Sequence, residues 1–327
     1  MARPIALLTR GSFYAPGWIE EHWPRILERC EVRKTDTVSG PEWVAQAAEA
    51  DVIIVRGSYV QREALQAASH LRGVVTGGVG VEKVDVAAAT ELGIVVANSP
   101  GNYIAVAEAT MLLVGAVAKH MPAWIEAART GRQADSTVYG SELHGKTIGL
   151  VGFGRIGKWV AGLARAYGME VLFYDPYVDQ TDLGEKVSLE VLLRQADFVS
   201  LHPVLTPETH HMIGAEQLAL MKPTAYLINT SRGGVLDEPA LVEALRKGQI
   251  AGAGLDVFET EPPELDNPLL KMPNVVATPH ALPRTAESFR RCAEMTQENV
   301  LAILDGRLPP YHVNNAVRWR ALEGVKS

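Results

Sequence analysis

An arginine, a glutamate and a histidine stand out because each follows an apolar run that reads as a β-strand. Arg232 comes after Tyr226-Leu-Ile-Asn-Thr-Ser, Glu261 after Leu255-Asp-Val-Phe-Glu-Thr, and His280 after Val275-Val-Ala-Thr-Pro. In a doubly wound sheet, residues just past the carboxyl ends of the strands face the ligand crevice, so all three are expected on one side of one sheet. Their types suit the interconversion of an alcohol and a carbonyl by hydride transfer. That chemistry needs a base for the hydroxyl proton in one direction and an acid in the other. Histidine changes charge near neutral pH and can serve both. Glu261 beside it would orient the ring and favour the imidazolium. Arg232 offers a planar fork that can hold a carboxylate and polarise the carbonyl next to it.

A hydride also needs a carrier, and the segment Lys146-Thr-Ile-Gly-Leu-Val-Gly152-Phe-Gly154-Arg-Ile-Gly157 places GxGxxG between an apolar run and a helical one. Gly152 permits the tight turn, Gly154 lets the backbone approach a pyrophosphate, and Gly157 lets helix and sheet pack closely. The helix start then presents N–H groups and a positive dipole end to phosphates. The next apolar run, Val171-Leu-Phe-Tyr174, ends in Asp175, near the ~20-residue spacing at which a carboxylate meets the adenosine ribose. That carboxylate would repel a 2'-phosphate, and Pro176-Tyr177-Val178 bring no arginine to offset it. NAD is therefore expected in preference to NADP.

These residues need a scaffold of alternating elements. Short β-rich runs at Ile5-Thr9, Val52-Val55, Val74-Gly77 and Ile94-Ala97 alternate with helical composition at Pro41-Ala50, Gln61-Ser69 and Val84-Glu91. A turn, Asn98-Ser-Pro-Gly-Asn102, leads into one long helical stretch from Ile104 to Thr130, ended by Gly131 and a polar segment to Gly140. A second series follows, with strands at Thr147-Val151, Glu170-Tyr174, Phe198-Leu201, Ala225-Asn229 and Ala253-Asp256. Its helices are Arg155-Tyr167 and Glu238-Lys247, and a long helix from Thr285 to Leu304 closes the pattern. Such alternation implies parallel strands joined by crossover helices. The fold class expected is α/β, with two doubly wound parallel-sheet domains and a site in the cleft between them.

The bulk properties fit. Of 327 residues, 47% are hydrophobic and 21% charged, an ordinary globular balance. The formal charge of -7 carries no run of Lys or Arg to follow a phosphate backbone, so nucleic acid is not an expected partner. Cys30 and Cys292, far apart and in no CxxC spacing, read as buried free thiols suited to a reducing cytoplasm. The apolar run in MARPIALLTR is too short for a signal peptide. Ala105 to Ala118, interrupted by Glu108, falls short of the roughly 20 residues of a membrane span and reads as a buried helix. His210-His211 lack companion ligands at metal spacing and read as a solvated turn. His202 follows a strand and reads as packing near the adenine side. No metal is expected.

Beyond these readings the chain resembles the D-isomer-specific 2-hydroxyacid dehydrogenase family over nearly its whole length. The likeness is carried by Leu201-His-Pro-Val-Leu-Thr-Pro-Glu-Thr209, Met221-Lys-Pro, Ile228-Asn-Thr-Ser-Arg-Gly-Gly-Val-Leu-Asp-Glu238, Ala253-Gly-Leu-Asp-Val-Phe-Glu-Thr-Glu-Pro262 and Thr278-Pro-His280, in order and spacing. The resemblance implies Arg232, Glu261 and His280 as the catalytic set and a small 2-oxo or 2-hydroxy acid as substrate. It implies backbone contacts from Gly78-Val79-Gly80 to the substrate carboxylate. Arg155 and Ile156 would lie at the pyrophosphate, Asp175 at the ribose, and Pro203, Thr230 and Asp256 against the cofactor, Asp256 near the nicotinamide amide. It implies a discontinuous substrate domain (residues 1–100 with 284–327), an NAD-binding domain (101–283), and a homodimer formed through the arm from Asn102 to Gly140.

Two departures bear on the substrate. The family's usual Asp-Asn pair after the loop is Glu82-Lys83, expected to be a change of packing. Where a small, glycine-rich stretch usually follows the histidine, Ala281-Leu282-Pro283 stand, and Leu282 and Pro283 would fill a wall near the nicotinamide. Arg56, followed by Gly57-Ser58-Tyr59, would meet the far end of a substrate. The alternative to an enzyme is an NAD-sensing binding protein, resembling the transcriptional corepressors built on this fold. Oxidation of formate is disfavoured because formate enzymes of this fold generally carry Gln where Glu261 stands.

Overall fold

The computed structural model describes residues 3–9, 17–56, 58–133 and 135–320. The chain divides into two compact units, Met1–Asn102 with Thr285–Ser327, and Tyr103–Arg284.

The first unit is built on five strands: β1 (Ile5–Thr9), β2 (Glu31–Thr35), β3 (Val52–Val55), β4 (Gly73–Thr76) and β5 (Val95–Ala97). They are all parallel, in the order β2-β1-β3-β4-β5. β3, β4 and β5 are buried at every residue, as strands covered by helices on both faces must be. Alternate residues feed two apolar layers, with Leu7, Ile53, Val74 and Val96 on one face and Leu8, Ile54, Val75 and Val95 on the other. The second layer includes residues from the far end of the chain. The helix Ala286–Leu304, capped by the Thr285 hydroxyl accepting from Ser288 N–H, brings Ala293, Val300 and Ile303 into it. Trp23 Nε1 donates to Ala293 O at 3.0 Å, and Asn299 Nδ2 donates to Asn98 O at 2.8 Å, tying that helix to the first hundred residues. Cys30 and Cys292 are both buried free thiols.

The second unit holds seven strands: β6 (Thr147–Val151), β7 (Glu170–Tyr174), β8 (Glu185–Lys186), β9 (Phe198–Leu201), β10 (Tyr226–Asn229), β11 (Gly252–Leu255) and β12 (Val275–Ala277). All pairings are parallel and the order is β12-β11-β10-β9-β6-β7-β8. Counted from β6, that is the dinucleotide-binding order with one strand added, and the chain reverses direction across the sheet between β6 and β9. Ligands of such sheets bind past the carboxyl ends at that point. Phe153, fully buried, stacks on Phe173 with ring centroids 4.2 Å apart and anchors the turn after β6 in the core.

The helical stretch expected to run unbroken from Ile104 to Thr130 is two helices, Tyr103–Ala118 and Met121–Arg129, meeting at 68°. His120 takes a left-handed φ of 51°, and Pro122, lacking an N–H, sits in the first turn of the new helix, where that loss costs least. Tyr103–Ala118 is largely buried. It lies close against β11, where a Cβ on Gly254 would come within 3.1 Å of Leu113 Cβ. Among the described residues no single helix is long and apolar enough to cross a membrane.

Candidate active site

Arg232, Glu261 and His280 follow three neighbouring strands, β10, β11 and β12, at their carboxyl ends. The turn that carries Arg232 is made by Asn229, a fully buried residue at the end of β10. Its amide donates to Arg232 O at 3.0 Å, and its oxygen accepts from Ser231 N at 3.0 Å and Ser231 Oγ at 2.9 Å. A buried amide with its hydrogen bonds made holds a turn more rigidly than a solvated loop does. Gly233 comes next because nothing larger fits: a Cβ there would overlap the main chain of Phe258 and Glu259. The segment after Arg232 therefore lies directly on the segment before Glu261.

His280 and Glu261 meet. The ring Nδ1 lies 2.8 Å from Glu261 Oε2, with the two side chains 43% and 36% exposed. Burial pushes Glu261 upward, but the His280 hydrogen bond and charge, the Phe258 N–H and the Arg232 charge outweigh it and hold the carboxyl below the usual carboxylate range. An ionised carboxylate only accepts, so Nδ1 carries the proton. Nε2 is the nitrogen left to give or take one. Glu261 Oε1 accepts from Phe258 N at 3.3 Å, which turns the carboxylate back onto its own loop.

His280 has a left-handed φ of 52°, uncommon for a residue with a Cβ, and its N–H donates to Thr278 O at 3.0 Å. Asp256 brackets it. This residue is 1% exposed, and its Oδ1 accepts from Thr278 Oγ1 at 2.6 Å on one side of the histidine. On the other side the same oxygen accepts from Ala281 N at 3.0 Å and Leu282 N at 3.3 Å. Oδ2 is buried with no hydrogen-bond partner. The Leu282 side chain packs against the apolar cluster that contains Leu150, Phe173 and Ile228.

The glycine fingerprint takes the shape its chemistry requires. Gly152 has φ +92°, and a Cβ on it would come within 2.8 Å of the His202 carbonyl carbon and 2.9 Å of Pro203 N. A Cβ on Gly157 would meet Gly152 O at 2.5 Å, whereas above Gly154 nothing lies within 4 Å. The helix Arg155–Ala166 starts at Gly154 with no side-chain cap. Arg155 is exposed and Ile156 half-buried at that end. Asp175, 9% exposed, follows β7; its Oδ2 accepts from Phe153 N at 2.7 Å and its Oδ1 from Tyr177 N at 2.8 Å and Val178 N at 3.1 Å. Pro203 follows β9. Thr230 follows β10, its hydroxyl 2.8 Å from that of Thr110 on the buried helix.

In the first unit, Gly78-Val79-Gly80 follow β4 and the first two carbonyls are tied down: Gly78 O accepts from Ser99 N at 2.8 Å, and Val79 O from Asn98 Nδ2 at 2.9 Å. Arg56 follows β3, its N–H on Thr9 Oγ1 at 2.9 Å and its guanidinium packed on Gly77, at the root of that loop. Gly57, beside Arg56, lies outside the described residues.

His210 and His211 lie on a turn, as expected, with His210 exposed, but their side chains are engaged. Their rings stack with centroids 3.9 Å apart, and His211 Nε2 reaches Glu259 Oε1 at 2.7 Å, a partner too distant in sequence for any spacing rule. His202 points back to Ser200 Oγ at 3.0 Å, and desolvation pushes its imidazole down to about 4. Asn229, Gly233 and His211 gave no signal of their own. Asn229 and Gly233 are recognisable only as parts of a longer motif.

Residues 111–281 match the sequence profile of the D-isomer specific 2-hydroxyacid dehydrogenase NAD-binding domain. The chain is 42% identical over 299 residues to a D-3-phosphoglycerate dehydrogenase of Methanocaldococcus jannaschii, a match covering 89% of this chain and 57% of that one. It is 42% identical over 312 residues to a glyoxylate reductase of Korarchaeum cryptofilum, covering 91% and 92%. In structure it is similar to D-lactate dehydrogenase from Aquifex aeolicus complexed with NAD and lactic acid, with a TM-score of 0.85, 31% identity, and 95% and 99% of the two chains covered.

Proposed function

Because this chain belongs to the D-isomer specific 2-hydroxyacid dehydrogenase family, we propose that it moves a hydride between nicotinamide and C2 of a small 2-hydroxy or 2-oxo acid. The observation that carries the reading is the 2.8 Å contact of His280 Nδ1 with Glu261, beside Arg232 at three adjoining strand ends.

The residues present fit a dinucleotide. The open space over Gly154 is where a pyrophosphate can approach the backbone, with Arg155 and Ile156 at the helix start and Pro203 and Thr230 at the neighbouring strand ends. Asp175 suits a ribose hydroxyl pair and disfavours a 2'-phosphate, so NADH is the proposed form over NADPH. The partnerless Oδ2 of Asp256 suits the donor of a carboxamide. When bound, nicotinamide supplies or accepts the hydride.

The chain's own groups handle the rest. In the reducing direction His280 Nε2 gives a proton to the carbonyl oxygen as C2 gains the hydride, leaving the alcohol. In the other direction it takes that proton. Glu261 keeps the ring in the correct tautomer and stabilises the imidazolium. Arg232 grips the carboxylate and polarises the carbonyl. In the first unit, the N–H groups of Gly78-Val79-Gly80 are proposed to meet the same carboxylate, and Arg56 the far end of a longer acid. Glyoxylate, hydroxypyruvate and a phosphoglycerate-type acid are the substrates suggested by the relatives' names. Between residues 102 and 140, Leu112, Met121, Ile125 and Tyr139 are exposed, which suits a homodimer.

Mixing the protein with NADH and glyoxylate, hydroxypyruvate, pyruvate, phenylpyruvate or 3-phosphohydroxypyruvate tests the reading. Loss of reduced-nicotinamide absorbance with at least one acid is expected. Tight NADH binding with no turnover on any of them would refute it in favour of an NAD-sensing binding protein.

A further inference from the structure

We propose that His211 is a positioning residue of this site, holding the turn that carries Arg232 through its main chain and the loop that carries Glu261 through its ring. The inference rests on the dehydrogenase reading above.

The main-chain half begins at His211 N, which donates to Gly234 O at 2.8 Å, two residues past Arg232. Ile213 N then donates to Val235 O at 3.2 Å and Asp237 N to Ile213 O at 3.0 Å, so residues 211–213 lie along the turn that follows Arg232. His211 itself takes φ +52°, a conformation that costs a residue with a Cβ. The ring Nε2 donates to Glu259 Oε1 at 2.7 Å, and His210 stacks on its face. The same Glu259 oxygen accepts from Glu238 N at 3.3 Å, and Glu259 N donates to Glu238 Oε1 at 2.5 Å. Glu238, His210 and Glu259 are thus the charged or titratable groups around the ring.

Glu259 stands two residues before Glu261 on a segment where residues 259–262 are all exposed. Few apolar contacts restrain such a segment, which places it among the parts of a fold that open most easily. Besides the main-chain packing of Gly233 on Phe258 and Glu259, its position is set by polar ties: Glu259 to His211 and Glu238, and Glu261 Oε1 to Phe258 N. Loosening the first tie frees the loop that presents Oε2 to His280. The His211 and Glu259 side chains are 36% and 33% exposed, so their pairing adds little to global stability. An effect on turnover without an effect on folding is what separates positioning from mere support.

The experiment compares His211→Leu with His211→Gln. Both carry the same left-handed backbone cost, but only Gln retains a donor for Glu259. With the 2-oxo acid found in the panel, His211→Leu is expected to lose about tenfold in kcat, a misplacement effect smaller than the ~10²-fold of a full ångström. NADH affinity is expected to stay within about twofold, and His211→Gln to recover most of the loss. Adding His211→Leu to Glu259→Ala should lower kcat no further, as coupled partners do. Wild-type kcat in His211→Leu, equal damage in the Gln variant, or a parallel loss of NADH affinity would each overturn the proposal. His280→Ala is measured alongside. If it is inactive while His211→Leu is unaffected, only the positioning role falls; if it retains turnover, the dehydrogenase reading falls and takes this proposal with it.

Discussion

Asp256 gives the site its sharpest test, because one oxygen holds the loop, the other is the one proposed for the cofactor, and two substitutions separate them. In Asp256→Ala the N–H groups of Ala281 and Leu282 lose their acceptor, while the Thr278 hydroxyl keeps Leu255 O at 3.4 Å. Leaving a buried donor unmet costs about 1–3 kcal/mol; both N–H groups are part-buried and the bond of 3.3 Å is the weaker, so the sum is about 2–3 kcal/mol. At about 2–4 °C per kcal/mol for a unit of this size, the melting temperature should fall by roughly 5–10 °C. Asp256→Asn behaves differently. Ala281 N and Leu282 N can only donate, so the amide oxygen must take the Oδ1 place and the NH2 the Oδ2 place. The loop is kept, and stability should change by about 1 kcal/mol or less. A donor now stands where a carboxylate oxygen had no partner, at the place proposed for the carboxamide donor. Loss of a hydrogen bond to a charged group, about 1.5–3 kcal/mol, weakens NADH about ten- to a hundredfold. Thermal melting by circular dichroism and NADH fluorescence titration read the two effects separately. An Asn variant that melts and binds NADH like the wild type would refute the assignment of Oδ2 to the cofactor.

Three further outcomes follow from the same geometry. His280→Ala should cut turnover by about 10²–10⁴-fold, the usual share of a general acid–base group, with the NADH dissociation constant nearly unchanged by fluorescence. Asp175→Ser should raise the NADPH-to-NADH ratio of kcat/KM by at least about tenfold, since the carboxylate that repels a 2'-phosphate is gone; an unchanged ratio places that discrimination elsewhere. His202, pushed from 6.5 down to about 4 by desolvation, binds its proton more weakly folded than unfolded. Its contribution is therefore complete above pH 6.5 and is lost as pH falls toward 4, by up to about 3 kcal/mol. Urea melts of wild type and His202→Gln at pH 7 and pH 5 should show a shallower loss in the variant.

Most strands of the second unit's sheet were legible because they are buried on both faces; the exposed two-residue β8 was not. Thr147–Val151, Glu170–Tyr174 and Phe198–Leu201 are found where their unbroken apolar runs place them. β2 was not legible. Its sequence, Glu-Val-Arg-Lys-Thr, has no apolar face, because it lies at the sheet edge, paired only to β1, with its charges in solvent. Edge strands carry such charges to discourage pairing with other chains, and that erases the pattern by which strands are read. The break in the helical stretch after Ala118 failed for a different reason. Helix-forming composition continues across it, and only Pro122 marks the new start, a signal that a helix-length reading overrides.

The candidate site divides along the same physical line. Arg232, Glu261 and His280 could be named because each directly follows an apolar strand, and strand ends in a parallel sheet converge by topology alone. What holds them in place depends on contacts that sequence spacing does not encode. Asp256 reaches Ala281 and Leu282 across 25 and 26 positions, and His211 reaches Glu259 across 48. Each pairing joins segments that follow different strands, so it exists only once the sheet order is fixed. A motif of contiguous residues records that a site exists. Its geometry is written in these cross-strand ties, so Asp256→Ala and His211→Leu should alter the position of the reacting groups without altering which groups react.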